Sequence, residues 1–139
     1  MQDKSAAERP LIMIAERDQN VRQLQRFFLE KAGLNVDFAD DGEAALELAT
    51  LTLPSAVVTE ILIPKIDGLT LCRRLGENPG TRDIPVIVFS ILAAAARAEE
   101  AGAKAFLRKP LVESVFVPTI QRVIAAPPNA VSEKQWATK

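Results

Sequence analysis

Charged and hydroxyl side chains recur in this chain at the ends of short apolar runs. Glu16 and Arg17 follow residues 11–15, Glu60 follows residues 56–59, Ser90 follows residues 84–89, and Lys109 comes just after residues 105–107. Carboxylates of this kind offer oxygen ligands to a hard divalent cation. An ammonium and a hydroxyl offer donors to an anionic oxygen, and the same groups can also neutralise one another through charge-assisted hydrogen bonds.

The runs themselves read as strands. Residues 11–15 (LIMIA) are continuously apolar, as in a strand buried on both faces. Val36 and Phe38 alternate with polar residues, residues 56–58 open a third strand that runs to Glu60, and residues 84–89 (IPVIVF) are apolar throughout. Residues 105–107 make a brief fifth strand. Between the strands lie helical stretches. Val21, Leu24, Phe27 and Phe28 form one stripe ending at Gly33, Ala45, Leu48 and Ala49 a second, and Leu69, Leu71, Cys72 and Leu75 a third. The alanine-rich segment from Leu92 to Ala101 has high helix propensity and stops at Gly102. Ile120, Val123 and Ile124 share a face of the last helix. There Pro118 suits a first helical turn or kinks a helix begun earlier. Five such strands alternating with five helices imply a parallel sheet covered on both faces, whose strand ends would gather the polar residues into one pocket.

Apolar residues make up 48% of the 139 residues and charged residues 25%, which supports one domain with a buried core. The net charge of -1 gives no general attraction to nucleic acid or anionic lipid, so neither is expected as a partner of this domain. No apolar run approaches the roughly 18 to 20 residues that cross a bilayer. With one cysteine and no histidine, a structural zinc site lacks its usual ligands, and a cytoplasmic location is expected. Residues 1–10 read as a polar lead-in, residues 11–126 as the domain, and residues 127–139 as a polar tail or linker. Cys72 reads as a small buried residue.

On these residues the chain resembles the receiver domains of two-component response regulators, over about residues 11–126. The markers stand in the family's order. Glu16-Arg17-Asp18 follows the first strand, and Glu60 stands where the family has its phosphate-accepting aspartate. Then come Pro64-Lys65-Ile66-Asp67-Gly68, Ser90, Gly102-Ala103 and Lys109-Pro110. The resemblance implies an α/β, flavodoxin-like, doubly wound (βα)5 fold, with a five-stranded parallel sheet of order 2-1-3-4-5. It implies a site in which two acidic residues and the acceptor hold Mg²⁺, while the lysine and the hydroxyl grip a phosphoryl group. A cis Lys109-Pro110 peptide also belongs to the resemblance.

Two departures dismantle that chemistry. At the acceptor position, the extra methylene of Glu60 shifts the carboxylate by more than about 1 Å, and in-line transfer tolerates such displacement poorly. At the second acidic position stands Arg17, so a guanidinium replaces a metal-facing carboxylate. Glu16 and Glu60 then face Arg17 and Lys109 in a near-neutral pocket, and Mg²⁺ binding is expected to be lost. Ile91 is β-branched where the family has a small residue, narrowing the approach to Ser90.

Arg17 is expected to pair with Glu60 or Glu16, its ordinary alternative being a solvated loop arginine. Lys109 is expected against Glu60, Asp18 as a helix cap, and Asp67 as a turn residue with Gly68 in an unusual backbone angle. Phe106 sits where receivers carry the aromatic that swings inward on activation, or is an ordinary core residue. Trp136 is a docking anchor or a plain tail residue. The sequence therefore predicts a non-enzymatic, phosphorylation-independent pseudo-receiver. It would contact a protein partner or itself through the helix of residues 92–101, the strand of residues 105–107 and the last helix. The alternative is a working receiver phosphorylated on an atypical residue such as Asp18 or Thr59. A small-molecule sensor using the strand-end crevice is a third reading.

Overall fold

The computed structural model describes residues 8–127 and the backbone of Gln135–Trp136. Strands and helices alternate as β1 (Leu11–Ala15), α1 (Gln19–Lys31), β2 (Asn35–Ala39), α2 (Gly42–Thr52), β3 (Ala56–Thr59), α3 (Gly68–Glu77), β4 (Val86–Ser90), α4 (Ala95–Glu100), β5 (Ala105–Arg108) and α5 (Glu113–Ala125). Every pairing is parallel and the order is β2-β1-β3-β4-β5, the doubly wound arrangement expected from the sequence.

Strand periodicity divides the core in two. Met13, Val57, Val88 and Phe106 face the side covered by α2, α3 and α4, whereas Ile14, Val58, Ile87 and Phe89 face the side of α1 and α5. Helices on both faces explain why the central strands read as nearly continuous apolar runs. Fully burying one such Phe or Ile contributes about 1.5–3 kcal/mol.

Local chemistry fixes the helix ends. Asp18 caps α1 by accepting from the Asn20 and Val21 amides at 2.8 and 3.2 Å, and Asp41 caps α2 through the Ala44 amide at 2.8 Å. Gly102, with φ of 100°, turns the chain out of α4 into β5 in a conformation that side chains resist.

One expectation is corrected, an open alternative is resolved, and one short strand is added. α4 spans only Ala95–Glu100, short of the 92–101 helix read from alanine content, and Ala94 at its start supplies no side-chain cap. Of the two readings of Pro118, the helix begun earlier is the one found, because α5 begins at Glu113 and Pro118 lies inside it. Beyond Pro127 the described residues are Gln135–Trp136 (β6), a short parallel strand beside β5 that pairs Ala105 with Gln135 and Phe106 with Trp136. The Trp136 side chain lies outside the described residues, as do residues 1–7 of the lead-in.

Candidate functional site

A right-handed crossover returns each parallel strand to the same end of the sheet, so the residues that follow β1, β3, β4 and β5 meet there. Glu16, Glu60, Ser90 and Lys109 converge as the sequence predicts. Glu16 and Glu60 are 2% and 5% exposed and Ser90 is fully buried.

Lys109 ties the two acids together. Its Nζ lies 3.0 Å from Glu16 Oε1 and 3.2 Å from Glu60 Oε1, and it donates to Glu16 Oε2 at 3.1 Å. Burial pulls the Lys109 ammonium toward the neutral form. The hydrogen bonds and charges of Glu16 and Glu60 outweigh that, and its pKa ends above the ordinary 10.5.

Glu60 is held by a collar of donors. Its Oε2 accepts from the Ile61 amide at 2.6 Å, from the Leu62 amide at 3.3 Å and from the Ser90 hydroxyl. Oε1 accepts from the Ile91 amide at 3.3 Å. Backbone donors aimed at one carboxylate compensate its removal from water. Ser90 Oγ in turn accepts from the Leu92 amide at 3.2 Å, so the loop after β4 is organised around the same acid.

Arg17 is the correction that matters most. It is exposed, and among the described residues its guanidinium has neither an ion pair nor a hydrogen bond. Lys109 already serves both carboxylates, and a guanidinium left in water avoids the cost of desolvation. The buried cluster is therefore two carboxylates against one ammonium rather than near neutral, and the excess negative charge rests on the N–H and O–H donors.

The β3–α3 turn also differs from expectation. Gly68 does not take the left-handed angle; Lys65 does, at φ of 73°. Asp67 caps α3, accepting from the Thr70 amide at 2.8 Å. Gly68 is needed for closeness instead, since a Cβ there would sit 2.2 Å from the Glu60 carbonyl oxygen. Lys109-Pro110 is cis, as the resemblance implied.

Arg22 is a residue that sequence reasoning missed. Its Nε donates to the Glu16 carbonyl, and its Nη2 reaches the Ala39 carbonyl at 2.9 Å and Asp40 at 2.8 Å. Those bonds pin the β1–α1 loop. Its place in α1, outside the apolar stripe, gave no hint of the role. Phe106 is 1% exposed and points into the core, and Ile91 is 55% exposed at the mouth of the site.

These residues do not fit a divalent cation. The Lys109 ammonium stands between the two carboxylates that would have to share the ion, Glu60 has its oxygens engaged, and Arg17 supplies no oxygen at all. Among the described residues no group of three or more metal-ligating side chains is found.

The response regulator receiver domain family matches residues 12–121. The chain belongs to that family, whose members are signalling receivers rather than independent catalysts. It is 36% identical over 83 residues to the DNA-binding dual master transcriptional regulator RpaA of Synechocystis sp., covering 60% of this chain and 34% of that protein. It is 34% identical over 104 residues to the response regulator PleD of Caulobacter vibrioides, covering 73% of this chain and 23% of PleD. The chain thus spans about a third or less of the length of these two relatives. Among solved structures, a putative response regulator from Chloroflexus aurantiacus superposes with a TM-score of 0.82 at 30% identity, covering 86% of this chain and all of the other. The signal receiver domain of a signal transduction histidine kinase from Syntrophus aciditrophicus gives 0.78 at 28% identity, covering 94% and 99%. No described helix is long and apolar enough to cross a membrane.

Proposed function

We propose that this chain is a pseudo-receiver, a protein-interaction module of a bacterial two-component-type pathway that works without being phosphorylated. The observation that carries this reading is the collar around Glu60. Ser90, Lys109 and the amides of Ile61, Leu62 and Ile91 all address the Glu60 carboxylate. In the receivers that this chain resembles, the lysine and the hydroxyl grip a phosphoryl group. Here the side chain at the acceptor position fills their grasp itself. Its single charge stands against the roughly two of a phosphoryl group, so the imitation is partial. The inward position of Phe106 accords with an activated-like arrangement.

The contact face under this reading is α4, β5 and α5, reaching a protein partner or a second copy. The half-exposed Val112 and Val115, at the cap and in the first turn of α5, supply apolar area there.

Phosphorylation on an atypical residue finds less support. Thr59 is fully buried with its hydroxyl donating to the Glu60 carbonyl at 2.8 Å, and the Asp18 carboxylate is occupied in capping α1. Incubation with Mg²⁺ and acetyl phosphate or phosphoramidate, followed by intact mass measurement, tests the proposal. The expected outcome is an unmodified chain, and a stoichiometric phosphate adduct overturns it.

A further inference from the structure

The outer surfaces of α2 and α3 carry opposite charge. Both helices cover the same side of the sheet and pack against each other. α2 turns Glu43 and Glu47 to solvent and contains no cation, whereas α3 turns out Arg73 and Arg74, with Glu77 in its last turn. None of these side chains forms an ion pair among the described residues, and Arg73 reaches the Thr70 hydroxyl of its own helix at 3.3 Å. Glu43 and Glu47 stand at i and i+4, where like charges repel.

The two helices begin side by side. The Gly42 amide donates to the Pro64 carbonyl at 3.0 Å, and a Cβ on Gly42 would stand 2.1 Å from the Ile66 carbonyl oxygen, just before α3 starts. Each helix returns from a parallel strand, so both run the same way, and residues equally far from the two starts lie at similar height. Glu47 is the sixth residue of α2 and Arg73 the sixth of α3. Leu51 is the tenth residue of α2, level with Gly76 and Glu77, the ninth and tenth of α3.

Leu51 and Gly76 contrast in bulk. Leu51 is 77% exposed, more than any other large apolar residue described. Gly76 is exposed, has no heavy atom within 4 Å of where its Cβ would stand, and does not take a left-handed φ. Neither packing within the molecule nor the backbone angle calls for glycine there, and glycine inside a helix weakens it. The missing side chain leaves a notch in the outer face of α3.

We infer that the α2–α3 face pairs with the same face of a second copy. A two-fold axis parallel to the helices and midway between them lays α2 of each molecule over α3 of the other at unchanged height. Glu47 then meets Arg73 and Arg74 of the second copy, and Leu51 enters the notch at its Gly76. Each contact occurs twice, as in an isologous interface. An axis across the helices would set α2 on α2 and oppose like charges, so charge selects the orientation. The net charge of -1 adds little repulsion between copies. Two helices about 16 Å long offer well below the roughly 800 Å² per partner of a standard-size complex, so the pair is weak and reversible. It leaves α4, β5 and α5 of both molecules uncovered and does not depend on the contact face proposed above.

Sedimentation velocity of the full chain tests this, over about 10 µM to about 1 mM protein, at low salt and at about 0.5 M salt. The expected result is a monomer–dimer equilibrium with Kd between about 10 µM and about 1 mM, weakened at least about threefold by the higher salt. Glu47→Arg and Arg73→Glu/Arg74→Glu each place like charges opposite one another, and each variant alone is expected to stay monomeric. Mixed in equal amounts they restore both ion pairs, and dimer should return with a Kd within about threefold of the parent's. This rescue shows that both variants are folded. A parent chain that stays monomeric at the highest concentration overturns the inference. So does a dimer that either variant leaves unchanged, or a mixture that fails to associate.

Discussion

Lys109 Nζ lies 3.2 Å from Glu60 Oε1, an ion pair in which the acceptor position of a receiver is neutralised by the family's own lysine. The same ammonium reaches Glu16 at 3.0 Å. Replacing it with methionine keeps the stem and leaves two buried carboxylates facing each other. Removing one partner of a buried pair costs about 3–5 kcal/mol. A urea titration of Lys109→Met should therefore show a much lower midpoint at neutral pH, and a shift of only a few tenths of a kcal/mol would contradict the pairing.

The same lysine sets an alkaline limit. Its folded pKa lies above the ordinary 10.5, because Glu16 and Glu60 outweigh the opposing effect of burial. The folded state thus holds this proton longer than the unfolded state does. The resulting stability is fully present below about 10.5 and is lost as pH rises through the folded value. Cys72 adds a loss of its own, since burial pushes its thiol from 9.0 up to about 12. Urea midpoints from pH 7 to 11 in a Cys72→Ala background isolate the lysine. The curve should stay flat through neutrality and fall only at the alkaline end, and Lys109→Met should remove that component of the fall.

Gly68→Ala tests the close approach beneath the collar. The new Cβ would stand 2.2 Å from the Glu60 carbonyl oxygen and 3.0 Å from Ile61 Cα. Neither is a flexible side-chain end, so the backbone must move, at a cost of about 1–3 kcal/mol. Thermal melting should register the loss, and the amide resonances of Ile61 and Leu62 should shift because their bonds to Glu60 loosen.

Gln25 should be improvable. It is fully buried in α1, and neither atom of its amide reaches a hydrogen-bond partner among the described residues. An unsatisfied buried polar group costs about 1–3 kcal/mol. Gln25→Leu is close in volume and should raise the melting temperature. A lower value would mean that the amide is engaged after all.

Arg17→Asp combined with Glu60→Asp reverses both departures from the family pattern. The shorter acid withdraws from Ser90 and the amide collar, and an oxygen ligand replaces the exposed guanidinium. Calorimetric titration should detect at least weak Mg²⁺ binding in the double variant and none in the parent. Sub-millimolar Mg²⁺ affinity in the unaltered chain would refute the electrostatic account of the site.

Much of this architecture was legible because short apolar runs alternate with helical stripes of period 3.6, and because Glu16, Glu60, Ser90 and Lys109 fall at strand ends. Arg17 was not legible in the same way. Whether a loop guanidinium turns inward depends on how far other groups have already balanced the carboxylates, and that is a three-dimensional sum. The length of α4 failed for a related reason. Alanine content favours a helix from residue 92, but the Ile91 and Leu92 amides bond to Glu60 and Ser90, which holds that segment in the loop. The amide collar itself has no side-chain signature. β6 was missed because its pairing with β5 joins residues about thirty apart through backbone groups alone.

The Glu16–Lys109–Glu60 cluster is almost closed to solvent, with side chains 3%, 14% and 6% exposed. Counter-ions screen surface charges within a Debye length but barely reach buried ones. Changes in ionic strength should therefore leave the cluster intact. Under the function proposed here, the domain also has no covalent mark to gain or lose. Its influence on a partner would then scale with how many copies are synthesised and how long each one lasts.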